Sequence, residues 1–211
     1  MEASPGSGDE IVLLTGPAAT ESAVKRLLPG RDTVHLATHG FFFGREAAAP
    51  AGDRRSISGV SGRRPAADAA LTLSGLALAG ANRGAPDDRG DDGILTSEEI
   101  AAIDLSGVRW VVLSACDTGL GAVQNGEGVL GLRRAFEVSG VASLFMSLWE
   151  VDDRASRHWM EALYRSRFEA GLSTVDSCRE AARSVLTWSR DRLGTSHPYT
   201  WGAFVAVGDW R

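Results

Sequence analysis

Val111-Val112-Leu113-Ser114-Ala115-Cys116-Asp117-Thr118-Gly119 is an apolar, β-branched run that stops at a thiol and then at turn residues. Val34-His35-Leu36-Ala37-Thr38-His39-Gly40 follows the same plan, with an imidazole in place of the thiol. Both runs have strand length and strand composition. In an open α/β sheet, ligands bind outside the carboxyl ends of the strands. Strands that end at His39 and Cys116 therefore bring a base and a nucleophile to one rim, the minimum for thiol catalysis.

Outward from these runs, strand and helix patterns alternate. Ile11 to Thr15 reads as a short strand. Thr20 caps a helix through Leu28, with Ala23, Leu27 and Leu28 on its apolar stripe, and Pro29-Gly30 stops it. Leu71 to Leu78 is apolar, and Thr96 caps a short helix whose first turn holds Glu98 and Glu99. Val129 to Val138 is an amphipathic helix and Ala142 to Trp149 a strand. Two helices follow, about residues 154–170 and 175–192. The second has Val175, Cys178, Ala182, Val185 and Leu186 on one face. Gly202 to Val207 is the last strand. The alternation predicts an α/β domain with a mostly parallel sheet flanked by helices on both faces. Residues 1–10 read as a disordered tail, with the domain over 11–211. Residues 44–69 hold five arginines among Gly, Pro and Ser and read as a mobile loop.

Composition narrows the function. The 211 residues suit one domain with a substantial core. A formal net charge of −5 gives no footprint for nucleic acid. No apolar run reaches the length of a membrane span, and no signal peptide is visible. Two cysteines in dissimilar contexts, Cys116 and Cys178, speak against a disulfide framework and for a reducing, cytoplasmic setting. Four histidines without a Cys-x-x-Cys give no support for a zinc site, and no cofactor is expected.

Further blocks agree with the two runs. They are Leu76-Ala77-Leu78-Ala79-Gly80-Ala81-Asn82, Asp92 to Ile100, Gly126 to Phe136, Ser147 to Asp153, and His197 to Phe204. In this order, with His39-Gly40 and Ser114-Ala115-Cys116-Asp117-Thr118-Gly119, they resemble the CHAT domain. That family is a caspase-related cysteine peptidase module usually found behind tetratricopeptide repeats. The resemblance implies a caspase-like sheet and a Cys-His endopeptidase acting on protein or peptide substrates. It further implies regulation by a tetratricopeptide-type region or partner chain. Family members normally carry another strand and helix before this point. The chain is therefore expected to work with another polypeptide segment, since a sheet edge without its neighbour invites pairing.

The candidate residues follow from the chemistry. A thiol with a pKa near 8.5 needs a neighbour to activate it at neutral pH, and an imidazole near 6.5 can take the proton. Cys116 and His39 are the catalytic candidates. His35, on the same strand face but short of its end, reads as a packed residue. Resemblance to caspase-like peptidases implies an oxyanion hole from the N–H groups of Gly40 and Cys116. Asp117, Glu150, Asp152 and Asp153 are candidate carboxylates for a basic P1 side chain, with turn formation or helix capping as the plainer reading. Arg54-Arg55 and Arg63-Arg64 in the loop offer self-cleavage points after Arg55 or Arg64. Trp149, Trp201 and Cys178 read as packing. Gly126-Glu127-Gly128-Val129-Leu130-Gly131 fits a dinucleotide motif only formally, because no strand immediately precedes it. The rival from another class is a degenerate CHAT module that serves as a protein-interaction scaffold.

Overall fold

The computed structural model describes residues 10–42, 74–83, 90–114 and 127–211. Residues 1–9 of the expected tail, the whole loop over 44–69, and Cys116 and Asp117 lie outside the described residues, and with the loop Arg54, Arg55, Arg63 and Arg64.

Among the described residues, seven strands form two sheets. The main sheet has the order β1-β5-β6-β7, with β1 at Thr33–Ala37, β5 at Trp110–Ser114, β6 at Ser143–Ser147 and β7 at Phe204–Gly208. β1, β5 and β6 are parallel, and β7 runs antiparallel to β6. The smaller sheet is antiparallel, with the order β2-β3-β4, over His39–Phe42, Ser74–Ala77 and Ile94–Thr96.

Helices cover both faces of the main sheet because its strands carry apolar side chains on both. Val34, Val111, Leu113, Leu144 and Met146 face one core. That core is closed by α1 (Glu21–Leu27), α2 (Ser97–Ala102) and α3 (Glu127–Val138), through Val24, Ile100 and Phe136. Trp110, Val112, Phe145 and Phe204 face the other core, with Trp159 and Leu163 of α4 (Asp153–Tyr164) and Ala181 and Val185 of α5 (Thr174–Leu193). A five-residue π-helical turn, Arg165–Glu169, extends α4. A short α6 (Pro198–Trp201) leads into β7.

Local chemistry sets the boundaries. Thr20 caps α1 by accepting from the Ala23 N–H at 3.2 Å. Thr96 and Glu99 form a reciprocal capping box at α2. Gly194, at φ 67°, ends α5 in the left-handed conformation. Leu76 and Leu95 of the small sheet are fully buried in the first core. Each adds about 1.5–3 kcal/mol of apolar burial, which ties the small sheet to the main one.

Three expectations need correction. Ile11 to Thr15 is not a strand: no described strand pairs with it, and Ile11 and Leu13 stay exposed while Leu14 alone turns to the core. Of the face expected for α5, Val185 is buried and Cys178 packs partly on the core, but Val175 is exposed, and the other buried positions are Thr174, Ser177, Ala181 and Ser189. These mostly small residues let α4 and α5 approach closely, which an apolarity count does not register. His35 is exposed rather than packed in the core, because β1 is the outermost of the described strands.

Candidate active site

The register between β1 and β5 sets the rim. Ala37 pairs with Ser114, the last residue of each strand. The carboxyl ends of the two strands therefore lie side by side, about 4.8 Å apart. His39 is two residues beyond Ala37, and Cys116 is two residues beyond Ser114 in sequence but outside the described residues.

His39 does not end β1. The main sheet stops at Ala37, the Thr38 hydroxyl donates to the Ala77 carbonyl, and His39 opens β2 opposite Ala77. The imidazole is exposed, and Gly40 behind it is buried opposite Leu76. The base candidate thus rides on the small sheet at its junction with the main one.

A polar staple holds that sheet in place. The Lys25 ammonium lies 2.5 Å from Glu21, 2.8 Å from Glu99 and 3.0 Å from Asp91. Burial would lower the Lys25 pKa, but these carboxylates outweigh it and raise it. Glu21 is buried, which raises its own pKa, although it also accepts from the Gly93 N–H at 2.9 Å. Gly93 stands at φ 85°, and a Cβ there would fall 2.3 Å from the Ala81 nitrogen, so only glycine fits. α1, α2 and the approach to β4 are joined through this one ammonium.

A cleft of about 400 Å³ opens beside the rim, between β1, the end of β5 and one side of α4. His35, Ala37 and Ser114 form its sheet side; Asp153, Ser156, Arg157, Met160, Glu161 and Tyr164 form its helix side. The Tyr164 hydroxyl lies 2.9 Å from His35 Nδ1. Lost hydration pushes the His35 pKa down and the Tyr164 pKa up, so both stay neutral near pH 7. Arg157 is paired with Glu161 at 2.8 Å. The cleft and the His35–Tyr164 pair were missed in the sequence, though the alternation of β1 already placed residues 33, 35 and 37 on one face.

The four acids named from the sequence divide. Asp153 lines the cleft. Asp152 caps α4, accepting from the Arg154 and Ala155 N–H groups at 3.0 and 3.3 Å. Glu150 is exposed beyond β6 and does not line the cleft. Asp117 lies outside the described residues. Trp149 packs partly against the second core, donates to the Tyr199 carbonyl at 2.9 Å and stacks on that ring; Trp201 also packs there. Cys178 packs against the same core, and burial raises its thiol pKa, as expected of an inert cysteine. Residues 127–131 of the formal dinucleotide motif lie inside α3, not in a strand-to-helix turn. Among the described residues no group of three or more His, Cys, Asp or Glu is placed to hold a metal ion. Among them, too, no helix is long and apolar enough to cross a membrane.

A mostly parallel sheet with helices on both faces, and a cleft at the carboxyl ends of its strands, defines an open α/β protein with its candidate site on that rim. The family profile of the CHAT domain matches residues 3–209, and the chain belongs to that family. It is 32% identical over 115 residues to mouse tetratricopeptide repeat protein 28, covering 54% of this chain and 4% of that protein. It is 30% identical over 115 residues to the human protein of the same name, with the same shares. The chain thus spans a small part of the length of these curated relatives.

Proposed function

We propose that this CHAT domain is a cysteine endopeptidase with Cys116 as nucleophile and His39 as base. The observation that supports it most is the Ala37–Ser114 register, which sets the carboxyl ends of the two strands side by side, two residues before His39 and Cys116 in sequence. In this reading His39 takes the Cys116 thiol proton, and the thiolate attacks the peptide carbonyl carbon. The N–H groups of Gly40 and Cys116 hold the developing oxyanion. The amine leaves with the proton from His39, and water then hydrolyses the thioester. Asp153, on the helix side of the cleft that Ser114 also lines, supports a preference for a basic P1 side chain whose methylenes lie along Met160 and Tyr164. Asp117 remains a second carboxylate for the same role. With that preference, cutting after Arg55 or Arg64 would be self-processing. The names of the relatives support a tetratricopeptide-type region as regulator, and two cysteines in dissimilar sequence contexts suit a cytoplasmic enzyme.

The deciding experiment combines a fluorogenic Arg-P1 peptide with an acyloxymethyl ketone probe. Wild type should hydrolyse the peptide and take up one probe at Cys116 and none at Cys178. Cys116→Ala should abolish both, and His39→Ala should slow hydrolysis by about 10²–10⁴ or more. Turnover that survives Cys116→Ala would remove the nucleophile assignment. A folded wild type that neither reacts nor turns over would point to the interaction-scaffold reading.

A further inference from the structure

His39 stands in one row of the small sheet, with Ala77 of β3 opposite it and Ile94 of β4 beyond. The next row is Gly40, Leu76 and Leu95, and its two leucines are fully buried. Adjacent rows face opposite sides of a sheet. His39 is accordingly exposed, and Ala77 and Ile94 are half-buried. Apolar burial therefore anchors the leucine row and leaves the His39 row to be fixed through its backbone.

The start of α1 takes hold of both chain segments that flank this row. Beyond Ala77, the Ala79 N–H donates to the Ala19 carbonyl at 2.9 Å, and Thr20 bridges to Ala79. Before Ile94, the buried Gly93 N–H donates to Glu21 Oε2 at 2.9 Å, and the Gly93 carbonyl accepts from the Leu78 N–H at 2.7 Å. Glu21 is 2% exposed, and its other oxygen, Oε1, takes the Lys25 ammonium. Lys25 is the only lysine among the chain's 22 Lys and Arg residues. A compact ammonium meets Glu21, Glu99 and Asp91 from three sides, whereas a guanidinium offers its donors in one plane. The cation neutralises a buried carboxylate and leaves its second oxygen aimed at Gly93.

We propose that Glu21 is a positioning residue for His39: through Gly93 it pins the Ile94 end of the row, and so holds the imidazole beside the carboxyl end of β1. In its effect on turnover this rests on the peptidase reading. Glu21 does not line the cleft, which belongs to β1, β5 and α4, so its role is not to bind substrate. It acts on the placement of the base. An error of about 1 Å in such a placement can cost about 10²-fold in rate. Loss of the Glu21 hydrogen bond should therefore lower kcat and leave KM nearly unchanged.

The test compares the 211-residue chain with Glu21→Asp, Glu21→Gln and Val185→Ala, the last removing buried volume from the second core only. All are held well below melting, as judged by circular dichroism. One readout is kcat and KM on the fluorogenic Arg-P1 peptide. The other is the NMR signals of the His39 imidazole, assigned by their loss in His39→Ala. Glu21→Asp keeps the charge beside Lys25 but is one methylene short of Gly93. It should lower kcat about 10–10²-fold with little change in KM, and shift or broaden the His39 signals. Glu21→Gln keeps the reach and an acceptor oxygen, and should recover most of that loss. Val185→Ala should leave kcat and the His39 signals as in wild type. Equal losses in Glu21→Asp and Glu21→Gln would overturn the proposal, and so would an equal loss in Val185→Ala. Unmoved His39 signals in folded Glu21→Asp would overturn it as well. A folded wild type without turnover would remove the peptidase reading, and the His39 signals alone would then decide the positioning role.

Discussion

The main sheet and the small sheet are held by different physics. The main sheet is clamped between two apolar cores, with Phe145, Val112 and Trp159 fully or almost fully buried on one side and Val111 and Phe136 on the other. The small sheet has strands of three or four residues and two fully buried leucines, Leu76 and Leu95. Much of what fixes it is polar: the Ser74–Ser97 hydroxyl pair at 2.8 Å, the Thr96 capping box and the Lys25 staple. A three-stranded sheet of this size is marginal unless packed on something larger. His39 therefore sits on the unit that opens more readily, while Ser114 ends a strand of the unit that opens last. A dyad across the two would lose its geometry before the protein melts.

Four substitutions test that contrast. Phe145→Ala should have the largest effect, about 3–5 kcal/mol, because it empties a fully buried ring site in contact with Trp110 and Trp159. Urea unfolding should show one lowered transition for both sheets; loss of the small sheet alone would break the contrast. Leu95→Ala should cost about 2–4 kcal/mol. Amides of β2 to β4 should then exchange faster while those of β5 and β6 change little; uniform acceleration would mean that the two sheets open as one.

Lys25→Met should cost about 1–3 kcal/mol, since it leaves the buried Glu21 carboxylate with one backbone donor. Its pH signature has a definite sign. The folded pKa of Lys25 is raised, so its contribution is complete below the unfolded value near 10.5 and is lost as pH rises beyond it. Thermal melts of wild type should fall through that alkaline window. Lys25→Met should remove the Lys25 share of the fall, and an unchanged slope would remove the staple from the account.

His35→Gln should have the smallest effect, a few tenths of a kcal/mol at pH 7 at this exposed position. The folded pKa of His35 is lowered, so the unfolded chain binds more protons between that lowered value and about 6.5. Stability therefore rises with pH across this window, and His35→Gln should flatten the rise. The same slope in both proteins would show that burial beside the cleft does not lower the His35 pKa.

The legible parts of the sequence were those where one local force dominates. Thr20, Thr96 and Pro29-Gly30 mark helix ends through single hydrogen bonds or backbone restrictions, and α1 and α2 lie where those signals put them. The run at 111–114 is a strand because buried parallel strands are continuously apolar, and the run at 34–37 is the parallel strand paired with it. The illegible parts depend on partners far away in the chain. Ile11 to Thr15 has strand composition, but a strand needs a neighbour, and none of the described strands pairs with it. The small sheet was missed because β3 and β4 are short and reach β2 only through the tertiary fold. In the site, His39 was placed on the rim by pattern, yet the switch from one sheet to the next at Thr38 was not readable. Of the acids, only the packing of α4 on β1 separates Asp153 in the cleft from Asp152 in its cap.

The reversal of β7 has a practical side. Because it runs opposite to β6, the chain comes back to the floor of the sheet. There Asp209 donates its N–H to Ala142, the Ser143 hydroxyl donates to the Asp209 carbonyl, and the Thr174 hydroxyl donates to the Arg211 carbonyl. The rim with Ala37 and Ser114 is at the far end of the same strands. A fluorophore or surface tether joined after Arg211 would leave from that floor, so the domain can be immobilised with the cleft facing the solution.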